Sequence, residues 1–264
     1  RASRRSPHEG ARVNEAQESF LSHLIELRTR LVRSLLAVGI AALPTLYFSS
    51  ELYDILAMPL INSLPQGSHM IATGVITPFL IPMKIAIMAA FLLALPYVLY
   101  QGWAFVAPGL YTHEKKLALP LVVSSTVLFA VGMLFCYFIV FRKVFAFIAH
   151  FAPKSISVAP DIEAYFNFVL GMFLAFGLAF EVPVVVVVLV ITGLVTVEQL
   201  REWRGYVVVA IFVVAAVVTP PDVVSQISLA LPMCLLYEAG IIFAQMANRR
   251  RKAQALAQPP GEEA

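Results

Sequence analysis

AYFNFVLGMFLAFGLAFEVPVVVVVLVITG, running from Ala164 to Gly193, is the stretch that decides the fold. Its one formal charge is Glu181, set between Phe180 and the pair Val182-Pro183. Roughly 20 apolar residues cross a hydrocarbon core ~30 Å thick. This run of about 30 would be ~45 Å long as a helix, so it must tilt or kink. Pro183 removes a backbone donor and marks the place. An ionisable group at that depth costs ~2.5–3.5 kcal/mol or more, which makes Glu181 a functional candidate.

Working outward, the same pattern repeats. Stretches without Asp, Glu, Lys or Arg cover Ser34–Ser50, Ile85–His113, Leu117–Phe141 and Gly205–Pro221. Two more, Ala164–Val197 and Val223–Asn248, are broken only by Glu181 and Glu238. The chain is 60% hydrophobic and 13% charged, with a mean hydropathy of +0.83. Soluble domains hold about 25% charged residues, so the reading is an all-α, polytopic membrane protein with six transmembrane helices. The loops leave no room for a second domain. One membrane domain over 19–252 is expected, with polar tails at 1–18 and 253–264 that read as disordered.

Six crossings put both termini on one side. Fifteen of the nineteen Lys and Arg fall on that side, and only Lys84, Arg142, Lys143 and Lys154 fall opposite. The positive-inside rule then makes both termini cytoplasmic. The net charge of +3 calls for anionic lipid headgroups and no nucleic acid. The first apolar stretch, about Leu31–Phe48, is too long for a cleaved signal and reads as a retained span. The fifth, Tyr206–Val218, is too short to cross a normal core and should thin the bilayer or shelter behind neighbours. Leu52, Ile55, Leu56 and Leu60 predict a short amphipathic helix on the membrane surface, in an outer loop that also holds Pro59.

No phosphate-binding loop, nucleophile motif or zinc spacing is present, so neither an enzyme nor a cofactor is expected. Cys136 and Cys234 lie inside apolar spans. Four carboxylates remain. Glu26 has a plain reading as an i,i+4 partner of Arg30. Glu114 has one as a first-turn complement to a helix dipole, capped by Thr112. Glu181 and Glu238 have one as buried, neutral acids bonded to a neighbouring helix, with lipid-side snorkelling also open to Glu238. Pro108, beside Phe105, shapes an apolar loop suited to docking a peptide.

The motifs around these residues resemble a known family. They are His23-Leu-Ile-Glu26-Leu-Arg28-Thr-Arg30, Ala57-Met-Pro59-Leu, and Thr77-Pro-Phe. Tyr100-Gln-Gly-Trp103-Ala-Phe105-Val-Ala-Pro108-Gly-Leu-Tyr-Thr-His-Glu114 follows, then Phe180-Glu181-Val-Pro183 and Thr219-Pro-Pro-Asp222-Val-Val-Ser-Gln226. In order, from about Ser19 to Arg251, the chain is similar to TatC, the receptor subunit of the twin-arginine protein translocase. The resemblance implies a concave, glove-like helix arrangement in a bacterial inner membrane. It implies binding of twin-arginine signal peptides of folded cargo, with export driven by the protonmotive force. It implies as partners TatA- and TatB-type single-span proteins and other TatC copies within the lipid bilayer. Glu26 and Glu114 would hold the two arginines, with Arg28 and Phe105 beside them. Thr219, Gln226 and Met233 would meet a partner helix, Glu181 would lie in the concave face, and Pro59, Pro108, Pro183 and Asp222 would shape the loops and the kink. The main rival is a secondary transporter with Glu181 as proton or ion site, although no internal repeat supports it.

Overall fold

The computed structural model describes residues 7–62, 69–106, 115–151, 159–218 and 223–257. Helices α1 (Pro7–Tyr47), α2 (Ser49–Ile61), α3 (Thr77–Val106) and α4 (Lys115–Phe135) come first. A π-helical turn (Cys136–Val140) leads from α4 into α5 (Phe141–Phe151). Then come α6 (Ile162–Phe180), α7 (Val182–Ile191), α8 (Val197–Glu202), α9 (Arg204–Val218) and α10 (Val223–Ala257). Among the described residues the one extended pairing is an isolated bridge between Ile71 and Asp161. Lipid offers no partner to a free N–H or C=O, so apolar runs of this length close their bonds as helices.

Five stretches have the length and composition to cross a membrane, and the sixth, Arg204–Val217, is short. The six-span reading therefore holds with one abbreviated member. The fourth span kinks where expected. Pro183 has no N–H to offer Ala179, the Glu181 N–H turns to Leu178 O at 3.1 Å, and α7 restarts with Val185 N–H on Glu181 O at 3.0 Å. The α7 helix stops at Gly193, whose φ of +75° is the left-handed cap geometry that glycine tolerates best.

Between spans inside lipid, packing contact rather than the hydrophobic effect holds helices together. Aromatic rings supply much of it here. Phe141 meets Phe145, Phe168 and Phe173, while Phe135 meets Phe176 and Phe180. On the other flank, Gly240 of α10 lies against the kink: a Cβ there would sit 2.9 Å from Pro183 Cα. Only a glycine lets α10 approach so closely.

One expectation needs correction. The α2 helix is present, but Ala57 and Leu60 are buried in the protein core instead of lying on a lipid surface. Tyr137 and Tyr165 hydroxyls donate to Ile55 O and Leu56 O (2.9 and 2.8 Å), pinning α2 over the bundle. The described helices begin at Pro7 and run out to Ala257. Extending a nucleated helix costs little through Ala, Glu, Gln, Arg and Lys, and both tails are rich in them.

At the end of the bundle far from the termini, Asp161 caps α6. It accepts from Ala164 N–H (2.9 Å), Thr73 Oγ1 (2.7 Å) and Thr73 N–H (3.2 Å). These donors, the Thr73 hydroxyl foremost, hold its carboxyl below the ordinary range.

Candidate signal-binding cluster and intramembrane carboxyl

Near the terminus end, α1 leans on the last turns of α3. Arg30 donates from Nε (2.9 Å) and Nη2 (2.6 Å) to a single oxygen of Glu26, Oε1. Its Nη1 donates to Gln101 Oε1 at 3.2 Å. The plain i,i+4 pair thus exists, and it is tied to a second helix. Among the described residues the other oxygen, Oε2, faces His23 Nδ1 at 4.0 Å. The His23 ring stacks on Phe105 with centroids 4.3 Å apart and planes 17° off parallel.

Every member of this cluster has a local reason for its place. His23, Glu26 and Arg30 recur at three- and four-residue spacing, so they share one face of α1. Gln101 and Phe105 are four apart on α3 and share the face that meets it. Arg30 spends its fork on one carboxylate oxygen, which holds Glu26 in place and leaves Oε2 as an acceptor. A part-exposed carboxylate beside an aromatic ring is a good receptor for a guanidinium, by bidentate bonding and by stacking. Arg28 is exposed and makes no ion pair among the described residues. Glu114 and Pro108 lie outside the described residues.

Glu181 is different in kind. It sits at the break between α6 and α7, 6% exposed, and neither carboxyl oxygen has a hydrogen-bond partner among the described residues. Another buried polar side chain, Ser125, lies on α4. Ser125 is itself fully buried and accepts from Trp103 Nε1 at 2.8 Å. The Trp103 ring packs with Val184 and Val188 just past the kink.

The remaining candidates scatter. Glu238 pairs with Arg204 of α9 at 2.6 Å, and both side chains are close to half exposed, so it is an interfacial ion pair instead of a buried acid. Gln226 donates to Phe212 O at 3.3 Å, joining α10 to α9. Met233 packs at the edge of the main core. Pro59 lies inside α2, and Pro183 is buried at the start of α7. Thr219 and Asp222 lie outside the described residues. Gln101 and Ser125 were not singled out from sequence. A lone Gln and a lone Ser in apolar helices were the available signal, since buried polar groups need partners.

Comparison with known proteins agrees with this arrangement. The family model described as Sec-independent protein translocase protein (TatC) matches residues 22–232. The TatC protein of Escherichia coli strain K12 is 48% identical over 231 residues, covering 88% of this chain and 90% of its own length. That of Haemophilus influenzae is 46% identical over 233 residues, covering 88% and 91%. A crystal structure of the twin arginine translocase receptor TatC superposes with a TM-score of 0.75 at 38% identity, covering 86% of this chain and 99% of that one. A multi-pass helical chain that matches this family over most of its length belongs to it: this protein is a member of the TatC family of Sec-independent protein translocase proteins.

Proposed function

We propose that this TatC protein is the receptor of a twin-arginine translocase and that the Glu26 cluster is where it takes hold of a signal peptide. The observation that carries the reading is the half-used carboxylate. Arg30 fixes Glu26 through Oε1, while Oε2 accepts no hydrogen bond among the described residues and lies beside the His23–Phe105 stack. One arginine of the signal would bond Oε2 and stack on Phe105. Glu114 would receive the other. The basic excess on the terminus side supports a cytoplasmic position for this cluster, where folded cargo would meet it.

TatA- and TatB-type single-span helices would then dock on the short wall of α9 and α10. Its 15 residues rise only ~22 Å, and Val209, Val213 and Val217 are exposed along it. Thr219, Gln226 and Met233 would meet the partner. Export would draw on the protonmotive force and on further TatC copies, with no chemical step at this chain.

Site-specific photocrosslinking tests the recognition step. A photoreactive residue at position 22 or 102 should capture a twin-arginine peptide, and a twin-lysine competitor should displace it poorly. Equal capture at the far end of the bundle, or none near Glu26, would refute the assignment. For the partner wall, cysteines along 208–218 and 223–230 should crosslink to a TatA- or TatB-type helix. Crosslinks confined to α1 or α4 would refute it.

A further inference from the structure

A groove of about 470 Å³ runs along α4 and its π turn, walled by α2, α3 and α6. Leu92 and Leu95 of α3 form one side, and Ile55 of α2 stands by Tyr137 toward the end far from the termini. Ala130, Leu134 and Phe138 line its length. These three are exposed and four residues apart, so they make one stripe. Each four-residue step overshoots a full turn by ~40°. The i→i+5 turn at Cys136–Val140 takes part of that drift back, and Arg142 continues the stripe one turn further out. Arg142 is exposed and makes no ion pair among the described residues.

We propose that this groove holds one acyl chain of a phospholipid from the leaflet away from the termini, with the phosphate on Arg142. From Thr126 to Phe138 the lining spans ~18 Å at 1.5 Å per residue. That is a little more than one leaflet of a ~30 Å core. The mean cross-section is then ~26 Å², against ~80 Å² or more for a helix ~10–12 Å wide. A partner span does not fit, and a single hydrocarbon chain does. An extended peptide is ruled out by its backbone, which needs partners throughout. The described lining holds two hydroxyls, and both protons are spent: Thr126 donates to Val122 O (2.8 Å) and Tyr137 to Ile55 O (2.9 Å).

Lipid tails are as apolar as leucine, so shelter from water is not what favours the bound chain. Close contact is. An unfilled groove leaves its lining without partner atoms on one side, and each missing contact forfeits dispersion energy. Arg142 adds specificity for the headgroup. A guanidinium bonds two phosphate oxygens at once, and its stem lies along apolar surface while its head reaches the interface. Held in this way, one lipid becomes part of the wall between α3 and α4.

The test uses the full chain in maltoside micelles, which bring no phosphate. These are titrated with a phosphatidylglycerol whose acyl chains carry bromine, a quencher of indole fluorescence. Phe138→Trp puts a reporter in the groove, and Leu43→Trp puts one on the exposed face of α1. Each is read against the parent, whose own tryptophans are Trp103 and Trp203. Quenching of Phe138→Trp should saturate at low lipid, while Leu43→Trp should quench in proportion to lipid content. Brominated diacylglycerol, which lacks the phosphate, should need about ten-fold more for the same quenching. Arg142→Gln should erase that difference. Ala130→Phe, which fills the groove, should make the Phe138→Trp response proportional. The proposal is overturned if Phe138→Trp never saturates, or if Arg142→Gln keeps the preference for phosphate. Relief of the quenching by a twin-arginine peptide or a partner helix would also overturn it, by giving the groove to protein.

Discussion

Glu26 and Glu181 are both glutamates next to helices that carry aromatic rings, yet their surroundings are opposite. Glu26 is part-exposed, bound through one oxygen, and set among His23, Arg30, Gln101 and Phe105. Glu181 is sealed, has no bonded partner for either oxygen among the described residues, and sits where Pro183 breaks a helix. The first has solvent and the Arg30 guanidinium beside it. The second is buried among apolar side chains. On the proposed reading, the difference would let one residue type serve two stages of a process: recognition at the surface, then accommodation of a helix inside the membrane.

The largest effect should come from removing the first carboxylate. Glu26→Ala deletes a charge-assisted bond worth ~1.5–3 kcal/mol, so peptide affinity should fall roughly ten- to hundred-fold. Glu181→Ala should leave that affinity within about two-fold. Equal losses in the two variants would erase the distinction.

Next in size is the packing around the kink. Gly240→Ala puts a methyl 2.9 Å from Pro183 Cα and 3.2 Å from Val186 Cβ. Overpacking of this kind costs about 1–3 kcal/mol, so thermal stability in detergent should drop while peptide affinity at low temperature holds. An unchanged melting temperature would mean that α10 is not wedged against the kink.

Transport by the Glu181 variants sharpens the comparison further. Glu181→Ala should slow export several-fold with recognition intact, and Glu181→Gln should be milder because a hydrogen-bonding group survives. If Gln were as damaging as Ala and export followed a titration curve, Glu181 would carry protons, as a transporter reading requires. Normal export by Glu181→Leu would make it structural only.

The smallest effect lies at the far end. Asp161 has a folded-state carboxyl depressed by Thr73 and the Ala164 N–H, so its contribution is present above the ordinary value of 3.8 and is lost as pH falls below it. Protection of the Ile71 and Ile162 amides, taken relative to their intrinsic exchange rates, should therefore fall only under acid, and Asp161→Ala should remove that dependence. Protection that is independent of pH in the parent would show that Asp161 does not hold the clip.

Much of this was legible in the sequence for physical reasons. Long uncharged runs can only be spans, Pro183 can only break the one it lies in, and basic residues fall on one side. The motif around Glu26 named a helix face that packs against the last turns of α3. What could not be read was long-range pairing. Nothing local says that Gln101 meets Arg30, 71 residues away, or that Glu238 meets Arg204 instead of burying itself. The α2 helix shows the same limit: its periodicity revealed an apolar face, but only Tyr137 and Tyr165 decide that protein covers it.

The central claim is that the open oxygen of Glu26 bonds an arginine of the signal. A double-mutant cycle tests it most directly, combining Glu26→Gln in the receptor with arginine-to-lysine at each of the paired positions of the peptide, read as dissociation constants in nanodiscs. Contacting partners couple, so for one of the two arginines the losses should fall short of additivity by about 1 kcal/mol or more. Full additivity at both positions would contradict the account.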